Sequence, residues 1–195
     1  MALLVERIVF AMNLDRLLNE IIPYRMRAVD TLIFAMRLAI RWPHPPPLEI
    51  RVNGKLQIEG NLYAFTNPAM EVGLVHCRAL LEFLGLTANK SGRIVNIDRR
   101  RSSDIGIEHF SNASGHLSMV NPETALSRYD GGKEEAERRC SRCFRSQRDI
   151  KDNPDHRRLI EIASFGVPSL VVSYLYTPLG LPAPDYKLTH RKREN

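Results

Sequence analysis

The sequence predicts a mainly α (α+β) fold: a helical bundle of five or more helices with a small antiparallel β-hairpin. Three observations carry that prediction. Apolar residues recur at three- and four-residue steps over much of the chain, as in amphipathic helices. One stretch, LEIRVNGKLQIEG at 48–60, alternates as strands do around an Asn-Gly turn. With 195 residues, 44% hydrophobic and 26% charged, the chain is long enough to bury one core of its own.

The first helix is expected over 3–22, with Leu4, Ile8, Ala11, Leu14, Leu18 and Ile21 on its stripe. Pro23 ends or kinks it, because proline has no N–H and its ring meets the carbonyl four residues back. A second helix covers about 24–41, striped by Met26, Val29, Ile33, Met36 and Ile40. Both are so apolar that they are expected to pack on each other or across a dimer. WPHPPP at 42–47 is a rigid break. In the hairpin, a two-residue Asn53-Gly54 turn would set Arg51 against Leu56 and mix the two faces. A three-residue loop, 52–54, pairs Ile50 with Leu56 and Leu48 with Ile58; it keeps one apolar face and is the expected register. A lone hairpin is marginal in water, so it must lie on the helices or join another strand.

Asn-Pro pairs at 67–68, 121–122 and 153–154 read as helix starts, Asn as cap and Pro at the first helical position. They predict a helix ending at Gly85, a short one to about Tyr129, and one from Pro154 toward Phe165, broken by Gly166 and Pro168. A further apolar segment then reaches Tyr176, and a charged helix fills roughly 133–150. Residues 86–121 are the least patterned, with RIVNI at 93–97 as a strand. The expected organisation is a single helical domain over 1–180 and a Pro-rich, then basic, mobile tail over 181–195.

Lys and Arg outnumber Asp and Glu by 28 to 22, an excess that permits an anionic partner without demanding one. Three cysteines give no disulfide framework and suit a reducing cytoplasm. Glu6, Arg7 and Asp15 interrupt the apolar N-terminus, which argues against a signal peptide. TLIFAMRLAI at 31–40 is too short to span a bilayer and contains Arg37, so no membrane span is expected.

The stretch MEVGLVHCRALLEFLG, 70–85, places His76, Cys77 and Arg78 in the middle of an apolar helix. Met70, Leu74, Cys77, Leu81 and Leu84 form its seam, so Cys77 reads as packing. Arg78 stands four residues before Glu82 and can pair with it. His76 reads first as a core histidine on a buried flank, with Asp104, Glu108 and His109 as partners for it. The functional alternative makes His76 an acid–base or ligand group and Arg78 an anion holder. His-x-Arg-x-Leu-x-x-Phe at 76–83, followed by Asp-Ile-x-x-x-x-Phe at 104–110, resembles a pattern of uncharacterised bacterial helical proteins. The resemblance covers about 67–110 and brings no activity with it. It implies that His76, Arg78 and Asp104 are neighbours in space.

Cys140 and Cys143 stand at CxxC spacing, but a single such pair is a weak zinc signal. With Ala136, Gln147 and Ile150 they form the apolar edge of the charged helix, so no metal and no cofactor is expected. Arg99, Arg100 and Arg101, and the stripe Arg138, Arg142 and Arg145, are candidate phosphate contacts. The stripe has a plainer explanation, since acids begin its helix and arginines end it. Arg37 and His44 are the one Arg-then-His spacing suited to a HEPN-type helical ribonuclease, but prolines flank His44. The expected function is therefore a non-enzymatic cytoplasmic binding or interaction protein, with its N-terminal helices meeting a protein partner or a second copy. The alternative is an RNA-binding protein or HEPN-like ribonuclease using His76, Arg78 and the arginines at 99–101.

Overall fold

The computed structural model describes residues 13–42, 44–102, 104–127 and 164–188. Two long amphipathic helices carry the core, α1 (Ile22–Arg41) and α2 (Leu62–Phe83), and they cross closely. Gly73 marks the crossing: a Cβ there would lie 2.3 Å from Leu32 Cβ and 3.0 Å from the Ala28 carbonyl oxygen. Helix α1 buries Met26, Val29, Leu32, Ile33 and Met36, while Ile40, expected on that stripe, is 53% exposed. The expected α2 seam is buried at Leu74, Cys77, Leu81 and, just past the helix end, Leu84, while Met70 is half-buried.

The expected bundle of five or more helices is overturned. Among the described residues there are four helices, three of them of seven residues or more. Three separate two-stranded antiparallel sheets accompany them. One reason is that the first two expected helices run together. The chain is helical without a break from 13 to 41, and a π-helical turn at Leu17–Ile21 precedes Pro23. The wider turn is one way a helix accommodates a proline ring.

That accommodation leaves a defect. The Ile22 N–H bonds back to the Leu17 carbonyl, and Pro23 has no N–H. The Leu18 carbonyl therefore loses both the donor an α-turn would supply and the donor a π-turn would supply. The Tyr176 hydroxyl donates to it at 2.6 Å. Tyr176 itself ends a second π-turn, Val172–Tyr176, in which the Thr177 N–H bonds the Val172 carbonyl just before Pro178. This turn continues a helix over 164–171, so Gly166 and Pro168 lie within helical backbone rather than ending it.

Strands β1 (Pro47–Val52) and β2 (Lys55–Asn61) form the hairpin, in a register different from the expected one. Asn53 and Gly54 both have positive φ, 50° and 78°, as a two-residue primed turn requires. Val52 pairs with Lys55 and Arg51 with Leu56. A bulge then absorbs Gln57 and sets Ile50 opposite Ile58. The turn thus decides the register beside it, and the bulge recovers one apolar face further along.

Helix α2 starts earlier than Asn67-Pro68. Asn61 is its cap, accepting from the Ala64 N–H at 3.2 Å, and Pro68 lies inside the helix. The carbonyl that Pro68 leaves without a helical donor belongs to Ala64, which is exposed to water. At Asn121 the expectation holds: its side chain accepts from the N–H groups of Glu123 and Thr124, with Pro122 opening helix α3 (Pro122–Leu126).

Residues 86–121 hold short strands: β3 (Leu86–Ala88) against β4 (Ile94–Asn96), and β5 (Ser111–Asn112) against β6 (Gly115–His116). Asn96 ties this layer to the end of α2, donating from Nδ2 to the carbonyls of Gly85 at 3.1 Å and Val120 at 2.9 Å. Residues 181–188 of the expected tail lie against α1: Arg27 donates to the Asp185 carbonyl at 3.1 Å, and the Leu188 N–H donates to Asp30 at 2.7 Å. Contacts with the domain therefore continue past residue 180.

Burial pushes the Tyr176 phenol up from 10.0 to about 12. The folded state thus favours the neutral phenol, a contribution complete below pH 10.0 and lost as pH rises toward about 12. Tyr176→Phe strands the Leu18 carbonyl and should cost about 1–3 kcal/mol in urea unfolding at neutral pH. The same variant should also lose part of the alkaline fall in stability, which a pH series of unfolding curves measures.

Candidate functional site

At the C-terminal end of α2 lies a cleft of about 390 Å³ with apolar walls from Leu17, Ile22, Leu80, Phe83 and Ile105. Its charged lining residues are Arg25, Glu82, Arg100 and Asp104. Arg100 is turned inward, its side chain 11% exposed. Its Nε donates to the Glu108 carboxylate, and Nη2 donates to the Phe83 carbonyl at 3.0 Å. Phe83 is the last residue of α2, so its carbonyl has no helical donor and a cation there suits the helix dipole. Gly106 makes room for the guanidinium; a Cβ at that position would lie 2.3 Å from Arg100 Cζ.

The arginine triplet therefore divides. Arg99 and Arg101 are exposed, while the Arg100 charge is engaged within the fold. Arg78 pairs with Glu82 at 2.8 Å, as their spacing indicated, with the Arg78 side chain 55% exposed. An exposed i,i+4 pair of this kind contributes only about 0.3–0.5 kcal/mol. Asp104 lines the cleft, whereas neither His76 nor Arg78 is among its lining residues.

His76 is half-buried rather than a core residue. Its ring meets Tyr24 edge-on, with centroids 5.2 Å apart. Burial, and then the Arg25 charge, hold its imidazole below the usual 6.5. Of the partners expected for it, Glu108 serves Arg100, and His109 Nδ1 accepts from the Gly106 N–H at 3.0 Å. The described geometry gathers charges as pairs and assembles no acid–base set around His76. Arg37 lies 5.2 Å over the Phe165 ring. Helix α1 ends at Arg41, before His44, so Arg37 and His44 do not share a helix. The candidates Arg138, Arg142, Arg145, Cys140 and Cys143 lie outside the described residues. Among the described residues no three His, Cys, Asp or Glu side chains gather as a metal site needs. No helix among them is long and apolar enough to cross a membrane.

A second hollow, missed in the sequence, lies between the hairpin and α2. It encloses about 380 Å³ and is lined by Leu48, Ile50, Ile58, Phe65, Pro68 and Val72, among others. Apolar side chains remain open to solvent here: Ile58 is 52% exposed and Val72 49%. A smaller hollow of about 240 Å³ shares Ala69 and Val72 with it and reaches Tyr24 and Ala28 on α1. On the flank of α2 that the sequence suggested was buried, Gly73 and Leu80 are buried, but Val72 opens to solvent. The available signal was that Val72 and Val75 lie off the Met70–Leu84 seam. No known protein family matches the chain, and neither does any curated protein or solved structure.

Two outcomes follow from this geometry. Arg100→Ala leaves the partly buried Glu108 carboxylate and the Phe83 carbonyl without this partner and should cost about 1–3 kcal/mol in urea unfolding. Arg101→Ala, at an exposed position, should stay within about 0.5 kcal/mol. By NMR, the His76 titration should have its midpoint below 6.5, and Arg25→Gln should move it part of the way back. Because the fold disfavours the charged ring, stability from His76 is full above 6.5 and falls as pH drops through the lowered midpoint.

Proposed function

We propose that this chain is a non-enzymatic interaction protein of the cytoplasm, and that its binding face is the apolar groove between hairpin β1–β2 and helix α2. One observation carries the reading. Strand β2 is exposed at every residue, although Ile58 on it is large, apolar and lines the groove, and it is 52% exposed. A hairpin that hangs over a groove of apolar side chains offers a ready protein-binding surface. The N-terminal helices are a weaker choice for that surface from residue 13 onward, because Leu14, Leu17 and Leu18 pack on the chain's own core. The paired charges around the neighbouring cleft support binding over catalysis, since Arg78 and Arg100 both hold carboxylates. The three cysteines, an odd number with Cys77 buried in the core, support a reducing compartment.

Ile58→Lys and Val72→Lys place charge in the groove at exposed positions, so each should leave stability within about 0.5 kcal/mol. Together they should remove association of the full chain with proteins it retains from a cell lysate, its own copies included. Retention unaltered by both substitutions, in a chain of unaltered stability, would refute the groove as the binding face.

A further inference from the structure

We infer that the occupant of this face is a second copy of the chain, joined through the free edge of strand β1 to make a four-stranded antiparallel sheet. The inference rests on the reading of the groove as the interaction face. Among the described residues β1 pairs with β2 alone, so its other edge carries unsatisfied backbone groups. Along β1, Leu48 and Ile50 line the groove, and Glu49 and Arg51 alternate with them on the opposite face. Glu49 and Arg51 form an ion pair at 2.9 Å, with side chains about half exposed.

Read against itself in the antiparallel sense, this strand is self-complementary in one register. With Ile50 on the two-fold axis, Glu49 faces Arg51 of the second copy, Arg51 faces Glu49, and Leu48 faces Val52. Centring the pair on Glu49 would set carboxylate against carboxylate, and centring it on Arg51 would set guanidinium against guanidinium. Centring it between residues would mix the apolar and charged faces. The backbone agrees. Val52 and Lys55 close the two-residue turn, so their polar groups face each other. By alternation those of Glu49 and Arg51 point outward, where they can exchange hydrogen bonds with the second copy.

Charges on a free edge ordinarily repel a second edge. Here their alternating sign rejects the registers centred on Glu49 and on Arg51 and favours the one centred on Ile50, so the same residues that deter disordered stacking admit a matched partner. The β2 edge is a competitor in sequence, since Lys55 and Glu59 are symmetric about Gln57. Gln57 is the bulge residue, and a bulge distorts the edge at the point where the two-fold axis would fall. Strand β1 has no extra residue. Pairing through β1 extends the apolar faces of both hairpins into one sheet, with the two grooves beneath it.

Sedimentation of the full chain at rising concentration tests this. The unsubstituted chain should move toward twice 22.3 kDa. Glu49→Arg alone and Arg51→Glu alone should each raise the dimer dissociation constant by at least about tenfold. The Glu49→Arg/Arg51→Glu double variant should restore the dimer, and an equimolar mixture of the two single variants should form mixed dimers. Residues facing each other outside a hydrogen-bonded pair have Cα atoms about 4.5 Å apart, within disulfide range. Ile50→Cys should therefore cross-link two copies under mild oxidation, beyond any background of the unsubstituted chain. Cross-linking by Gln57→Cys in place of Ile50→Cys would overturn the β1 edge. A chain that stays monomeric, while Ile58→Lys and Val72→Lys still remove its lysate partners, would overturn self-pairing and leave the groove as the binding face. A chain whose association ignores the β1 and groove substitutions alike would overturn both.

Discussion

The close crossing of α1 and α2 at Gly73 sets the position of everything else. Because no side chain separates the helices there, Leu32 and the Ala28 backbone lie directly against α2. A helix pressed this closely on one side has a fixed rotation. Its seam from Leu74 to Leu84 turns into the core, and its Val72 and Val75 flank turns out. The C-terminal end of the helix is then delivered to the short-strand layer, where Arg100 and Asn96 meet its last carbonyls. The apolar groove and the charged cleft are thus two consequences of one helix orientation. A residue larger than glycine at 73 would disturb both, although it touches neither.

Prolines impose the second constraint. Pro23 and Pro178 each follow a π-turn, and each removes a donor that a carbonyl in the preceding turn would otherwise use. At Leu18 the missing donor is replaced by the Tyr176 hydroxyl from the other π-turn. Buried backbone acceptors are rarely left unpaired, because desolvating one without a partner costs about 1–3 kcal/mol. The N-terminal helix and the 164–176 helix are joined by this satisfaction of a defect as well as by apolar packing. The bond is also specific in direction: a nonpolar residue at 176 would fill the space and leave the carbonyl stranded.

Much of the helical framework was legible in the sequence, and particular residues show why the rest was not. The seam of α2 and the Asn121 cap follow from local rules, periodicity in one case and side-chain capping in the other, and both hold. Asn67-Pro68 obeys the same capping rule and misleads. Asn61, six residues earlier, supplies an equivalent cap, and Ala64 can give its lost hydrogen bond to water. Of the strands of two or three residues, β4 lies in RIVNI at 93–97, expected as a strand, while β3, β5 and β6 carry too little alternation to be seen. They persist through bonds between distant residues, such as Asn96 to Val120. Arg100 stood in an unpatterned loop between two identical neighbours. Only the fold distinguishes it, by bringing Glu108 and the Phe83 carbonyl to its guanidinium. The groove was invisible for a similar reason: the exposure of Val72 depends on what fails to cover it.

The hairpin shows local and global demands in open conflict. Asn53-Gly54 is among the strongest two-residue turns, and it imposes a register that mixes faces. A bulge at Gln57 repairs the mixing, but a bulge weakens the ladder it repairs, and a two-stranded hairpin has little ladder to lose. A strand pair with β2 exposed throughout and few contacts to α2 gains little from its own chain. The recovered apolar face, Leu48, Ile50 and Ile58, is therefore better explained by what it meets than by what it buries at home. A bulge placed on β2 leaves β1 straight, and β1 carries the alternating Glu49 and Arg51. The repair and the free edge fall on opposite strands of the same hairpin, which is the arrangement a strand reserved for an external partner requires.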